Sequence, residues 1–231
     1  ALFVSGGVSQ ALDLICSLFT RPGDLVLVEE PSYFLALRIF ADHGLVAESL
    51  PTDEHGLLPG TLQARLAHGQ RPAFLYIVPT HQNPSGATLR EDRRRELLDI
   101  ADRHDLLVVA DEVYHLLSYD GSPPPTFIGR GRRVLALGSL SKILAPGLRI
   151  GWIAGPQRLL EPLASCGFLD SGGGLAPFTS ALVRSAVDSG SLARHLQERR
   201  RTYGERAAAM TAAVSRHLGK RVSFVAPQGG F

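Results

Sequence analysis

The run LGSLSKILAPGLRIG at residues 137–151 contains one lysine, Lys142, among apolar neighbours. Its ammonium is costly to bury without a partner. Ser139 and Ser141 precede it, and the next charge is Arg149, seven residues on. A lysine at the tip of a surface loop fits these letters, so the rest of the chain must decide. SGGVSQALDL, residues 5–14, sets two glycines before Val8 and Ser9. There a helix start can offer free N–H groups and a hydroxyl to an anion, or a serine can simply cap a helix. Tyr33, in EEPSYF, is either core or a flat partner for a planar ring. Asn83, in IVPTHQNPSG, is either a turn residue before proline or a rigid donor to a ligand oxygen. His81 beside it is an acid/base candidate or a solvated loop side chain. Asp111 closes an apolar run and needs a partner if buried; Tyr114, three residues later, can face the same pocket, or Asp111 can cap a helix. Each signal alone is ambiguous. Together they describe a site for a planar, phosphorylated, protonatable ring bound to a lysine.

The elements that must position these groups alternate. Strand-like runs fall at 2–5, 25–30, 46–51, 73–79, 106–112, 134–140, 149–155 and 222–227, and several are apolar throughout, as strands covered on both faces are. Helical spacing falls between them at 9–19, 31–44, 90–105 and about 191–218. The last stretch carries Leu192, Leu196, Tyr203, Ala207, Met210, Val214 and Leu218 on one stripe, long enough to bridge two domains. Such alternation predicts an α/β fold with a mostly parallel sheet. In that architecture ligands sit beyond the carboxyl ends of the strands, where the residues above cluster.

Bulk composition narrows the classes. The chain has 231 residues, 45% hydrophobic and 20% charged, with a net charge of +2, so it carries no basic footprint for nucleic acid. The arginine runs EDRRREL (91–97) and QERRRTYGER (197–206) are interleaved with acids and read as solvated helix faces. No apolar run is long enough for a membrane span, and no signal-peptide pattern is present. Cys16 and Cys166 are far apart and read as reduced thiols rather than metal ligands, so no metal site and a cytoplasmic location are expected. The chain opens inside a strand pattern and closes on PQGGF, and so reads as part of a longer protein.

The segments GGVSQALDL, EEPSY, PTHQNPSG, VVADEVY and GSLSKILAPGLRIGWIAGP together resemble the fold type I pyridoxal-phosphate enzymes of aminotransferase class I/II, in that family's order and near its spacings. The lysine-to-arginine spacing and APGLRIG look closest to the 2-aminoadipate and kynurenine aminotransferase branch, which also holds MocR-type regulators. The resemblance implies a three-layer α/β fold with a mostly parallel seven-stranded sheet flanked by helices. It divides the chain into a cofactor-binding large domain, 1–190, and a linking helix with the start of a small domain, 191–231. It implies pyridoxal 5'-phosphate as cofactor, with Lys142 as its Schiff-base lysine and Asp111 holding the pyridine nitrogen protonated. Asn83 and Tyr114 would bond the ring's phenolic oxygen, and Tyr33 would stack on the ring. Val8 and Ser9, with Ser139, Ser141 and Arg149, would bind the phosphate. Catalysis would fall to Lys142, Asp111 and Tyr114. Val8 departs from the family, where serine is frequent; a backbone contact survives that change and one hydroxyl donor is lost. The implied activity is ping-pong transfer of an amino group from an amino acid to a 2-oxo acid, in a homodimer. Alternatives are a lyase using the same cofactor, or a MocR-like regulator whose DNA-binding segment precedes residue 1.

Overall fold

In the computed structural model, which describes residues 1–231, the run LVVAD at 107–111 sends alternate side chains to opposite sides of a sheet. Leu107 and Val109 join one apolar cluster, and Val108 and Ala110 join a second. The same period-two split divides Val26 and Val28 from Leu27, Phe74 and Tyr76 from Leu75 and Ile77, and Leu135 and Leu137 from Val134 and Ala136. A sheet with two apolar faces must be covered twice, and the helices do this.

In chain order the elements are β1 (Leu2–Ser5), α1 (Val8–Phe19), β2 (Leu25–Glu30), α2 (Phe34–Asp42), β3 (Val46–Asp53), β4 (Gly56–Leu57), α3 (Pro59–Ala67), β5 (Phe74–Ile77) and α4 (Glu91–Arg103). There follow β6 (Leu107–Asp111), β7 (Val134–Ser139), β8 (Gly151–Ala154), α5 (Gln157–Ala164), α6 (Gly167–Asp170), α7 (Pro177–Asp188) and α8 (Ser191–His217). Leu12 and Ile15 of α1, Phe40 of α2 and Leu160 of α5 fill one cluster. Leu62 and Leu66 of α3 with Leu97 and Ile100 of α4 fill the other. The result is three layers. The sheet order is β1-β8-β7-β6-β5-β2-β3-β4. From β7 to β3 every pairing is parallel, while β8 runs antiparallel to both β7 and β1. Seven strands match the expected sheet, and the eighth, β4, is a two-residue strand pairing with the end of β3.

This topology positions the chemistry. β1, β2, β5, β6 and β7 all point the same way, so Ser5, Glu30, Ile77, Asp111 and Ser139 reach one edge of the sheet. The antiparallel β8 starts at that edge, which brings Arg149 there from the other direction.

Three expectations need correction. Residues 222–227 form no strand; the chain there is irregular, and its one nearby pairing is an isolated bridge between Ser118 and Gly229. The second helix begins at Phe34 rather than Pro31, because Tyr33 holds an extended N-cap conformation. The arginines of α4 do not all face water. Arg94 is fully buried, donating to the carbonyls of Leu89 (2.7 Å), Pro79 (2.6 Å) and Pro125 (2.9 Å) and to the Thr80 hydroxyl (3.0 Å). Glu112 lies 3.9 Å away and Phe127 stacks beneath its guanidinium. A guanidinium survives burial only when its donors are matched, and here they tie the loop after β5 to α4 and to the chain after β6.

Candidate active site

One cavity of about 210 Å³ opens at the carboxyl edge of the sheet, and the ten residues that the family resemblance assigns to a cofactor line it, while His81 does not. They are Val8, Ser9, Tyr33, Asn83, Asp111, Tyr114, Ser139, Ser141, Lys142 and Arg149. Leu12, Leu35, Ile39, Val78, Val113 and Pro146 complete the wall with apolar surface.

At one end the groups are those of an anion seat. Gly7 is the N-cap of α1 and offers no side-chain cap, so the first-turn N–H groups of Val8 and Ser9 are free of one. Arg149 holds a left-handed backbone after the short 3-10 turn Pro146–Leu148 and folds back over Gly7. Its guanidinium donates to the Gly6 carbonyl (3.0 Å), the Ser141 hydroxyl (3.3 Å) and the Pro146 carbonyl (3.3 Å). Ser139 accepts a bond from the Ser141 N–H at 3.0 Å, which fixes the turn leading into Lys142. Gly7 has φ 96°, a backbone that favours glycine, and a side chain there would fall on the Arg149 guanidinium and displace it.

At the other end is Asp111, buried at the last position of β6. Its Oδ2 accepts a 2.9 Å bond from the Tyr76 hydroxyl, and its Oδ1 accepts a longer one, 3.4 Å, from the Val113 N–H. Burial pushes its carboxyl up to about 6, against the pull of those two bonds and of the Lys142 ammonium. It is therefore ionised at neutral pH but would be stabilised by a cation beside it. Asn83 donates to the Tyr114 hydroxyl at 3.3 Å, so the two polar tips share one locus of the cavity. Tyr33, at the N-cap of α2, contributes an aromatic ring to the wall. Lys142, half-buried, projects into the same space with its Nζ 4.8 Å from the centre of the Phe231 ring.

Sequence reasoning missed three contributors. Tyr76 is fully buried, held edge-on to Phe40 with ring centres 5.5 Å apart, and has the hydroxyl that supports Asp111. Its one signal was a polar tip in the otherwise apolar FLYIV. Gly7 reads as a turn glycine until Arg149 is seen above it. Glu29 is 2% exposed and accepts the Val78 N–H at 2.7 Å, which anchors the start of the Asn83 loop. Burial pushes the Glu29 carboxyl up to about 8 from an ordinary 4.5, so the folded chain holds it neutral at pH 7. A group whose proton affinity rises on folding stabilises the fold below its unfolded value and loses that contribution as pH climbs to its folded value. Replacement Glu29→Gln keeps a neutral side chain of the same shape. The full-length variant is expected to gain melting temperature over the parent, with a gain of a few degrees near pH 8 that vanishes near pH 5. A gain that does not depend on pH would refute the assignment.

The fold is a three-layer, mostly parallel sheet whose carboxyl edge gathers a lysine, a buried carboxylate and a cluster of anion-binding groups around one cavity. Across its whole length, residues 1–231, the chain matches the family model of aminotransferase class I and II, and it belongs to that family. It is 35% identical to aromatic-amino-acid aminotransferase 1 of Thermococcus litoralis over 99% of this chain and 56% of that protein. It is 32% identical to YdfD of Bacillus subtilis, named as an uncharacterised HTH-type transcriptional regulator, over 100% of this chain and 48% of that protein. Pyrococcus horikoshii kynurenine aminotransferase, solved in complex with PMP, superposes with a TM-score of 0.89 and 35% identity, over 99% of this chain and 58% of that one. The chain thus spans about half the length of the curated relatives it matches.

Proposed function

We propose that the protein is a pyridoxal-phosphate-dependent aminotransferase, which moves an amino group from an amino acid to a 2-oxo acid in two half-reactions. The observation that carries this reading is the convergence of all ten residues on one cavity, with an anion seat at one end and a buried carboxylate at the other. The donor set fits the cofactor. Arg149, Ser139, Ser141 and the start of α1 suit a phosphate. Asp111 suits a protonated ring nitrogen, Asn83 and Tyr114 suit a phenolic oxygen, and Tyr33 suits a ring face. When bound, pyridoxal phosphate supplies an electron sink for charge developing next to an amino group. Lys142 Nζ would hold the cofactor covalently and, once released, move a proton within the site. Asp111 keeps the sink electron-poor, and Tyr76 keeps Asp111 oriented.

Residues 1–190 would form the cofactor-binding unit, with α8 leading into a second unit from 191. Two copies would assemble, and exposed Phe34 and Leu35 at the start of α2, beside the cavity, are apolar surface suited to a partner. Two free thiols suit the cytoplasm, where Cys16 would stay inert because burial pushes it up to about 12. No helix is long and apolar enough to cross a membrane.

The test mixes full-length protein with pyridoxal phosphate and then with 2-aminoadipate, kynurenine, or an aromatic or branched amino acid. The absorbance of the lysine-bound cofactor should give way to that of its amino form and return on adding a 2-oxo acid. No conversion with any donor would overturn transamination. The match to a helix-turn-helix regulator over all of this chain favours a second reading, in which the same cavity senses a ligand. A DNA-binding segment upstream of residue 1 would decide for it.

The anion seat makes its own prediction. Replacement Gly7→Ala forces a side chain into the Arg149 guanidinium at a φ that alanine avoids. Affinity for pyridoxal phosphate should fall about tenfold or more, measured by absorbance titration, while affinity for pyridoxal without phosphate stays near its starting value. An equal loss for both would place the phosphate elsewhere.

A further inference from the structure

His81 is neither solvated nor within the cavity. It lies two residues before Asn83, is 7% exposed, and holds a left-handed backbone at φ 49°. Its Nε2 is 3.0 Å from the Ser118 hydroxyl, and its Nδ1 is 3.4 Å from the Thr88 hydroxyl. Burial, with His115 nearby, pulls its imidazole down to about 4, so it stays neutral and can donate at one nitrogen and accept at the other.

What rests on this ring is the segment PQGGF. Gly229 lies directly against the imidazole, and a Cβ there would overlap three of its ring atoms. The segment is pinned on both sides of that contact: Tyr119 N–H donates to the Gln228 carbonyl at 3.0 Å, and Gly230 N–H donates to the Leu117 carbonyl at 3.2 Å. Ser118, the hydroxyl partner of His81, is itself the residue that bridges to Gly229. The next residue is Phe231. Its ring centre lies 4.8 Å from Lys142 Nζ and 5.8 Å from the Tyr114 ring. A chain of contacts therefore leads from His81 through Gly229 to an aromatic face on the lysine.

We propose that His81 is a positioning residue: its imidazole is the seat of residues 228–230 and so sets where Phe231 stands against the ε-amine of Lys142. This rests on the reading that Lys142 takes the cofactor. The left-handed backbone at 81 belongs to the same device, because it turns the imidazole toward Ser118 and Gly229 while Asn83 faces Tyr114. One short loop thus aims a donor at the cavity and supports the segment that covers its lysine.

The experiment uses the full-length protein and pyridoxal phosphate as probe, with affinity read from the absorbance of the lysine-bound form and the adduct trapped by borohydride. Gly229→Ala, which drives a methyl into the imidazole, should weaken binding about tenfold. His81→Gly, where glycine accepts the backbone, should weaken binding as well, and its combination with Gly229→Ala should cost no more than the larger single loss, since both changes act on one contact. Phe231→Ala, at an exposed position, should reproduce the loss without disturbing the seat. The proposal falls if Gly229→Ala or His81→Gly binds like the parent, if the double variant shows the two single losses multiplied together, or if Phe231→Ala changes nothing. A parent protein that never captures the probe on Lys142 would sink the cofactor reading itself, and the inference with it.

Discussion

Lys142→Ala is expected to abolish covalent capture of pyridoxal phosphate and to lower transamination by at least about 10⁴-fold, the upper range for removing a positioned proton-transfer group. The reason is geometric. Among the residues lining the cavity, Lys142 alone carries an amine. Ser139 and Ser141 fix the turn that delivers it, and Phe231 faces its Nζ. The anion seat does not use the lysine: Arg149 donates to Gly6, Ser141 and Pro146. The variant should therefore still bind the cofactor without a bond, and mass spectrometry after borohydride treatment should find no adduct. An adduct that persists in Lys142→Ala would show that another amine does this work.

The strands of the sheet were legible because their physics is local. Near-continuous apolar runs in LVLVEE, FLYI, LVVAD and VLALGS mark strands covered on both faces, and each recurs in the structure. Strand order was not legible, since pairing β2 between β5 and β3 depends on contacts distant in sequence. The site residues were legible for a related reason: apart from Val8, which offers its backbone, they are polar or aromatic groups placed near the ends of apolar runs, and parallel strands stop at one edge. Tyr76, Glu29 and Arg94 escaped because they lie inside elements and become informative only through partners far along the chain, Asp111, Val78 and Pro125. Residues 222–227 look like a strand by composition alone, but among residues 1–231 no strand lies beside them for pairing, and Val225 is largely exposed. His81 shows the same limit from another side. A loop histidine followed by Gln-Asn-Pro reads as solvated until Gly229, 148 positions later, is found resting on it.

Asp111→Asn separates charge from shape. The amide can keep the Tyr76 hydroxyl bond and fill the same volume at the end of β6, so the fold and the anion seat should persist. What disappears is the negative charge that favours a protonated ring nitrogen. Turnover should fall about 10²–10³-fold, the scale of losing one preorganised electrostatic group, with the cofactor still captured by Lys142. The pH dependence gives a second readout. Burial sets the carboxyl at about 6 before a cation arrives, so protonation below that value removes the charge that holds the ring. Affinity for pyridoxal phosphate in the parent should therefore weaken as pH drops from 7 to 5, while Asp111→Asn, neutral throughout, should lack the component that titrates near 6. Tyr76→Phe should move that midpoint upward, because its hydrogen bond stabilises the charged form. If Asp111→Asn keeps the parent's titration, the group that senses the ring nitrogen is not Asp111, and the buried carboxylate at the end of β6 would be a structural partner of Tyr76 alone.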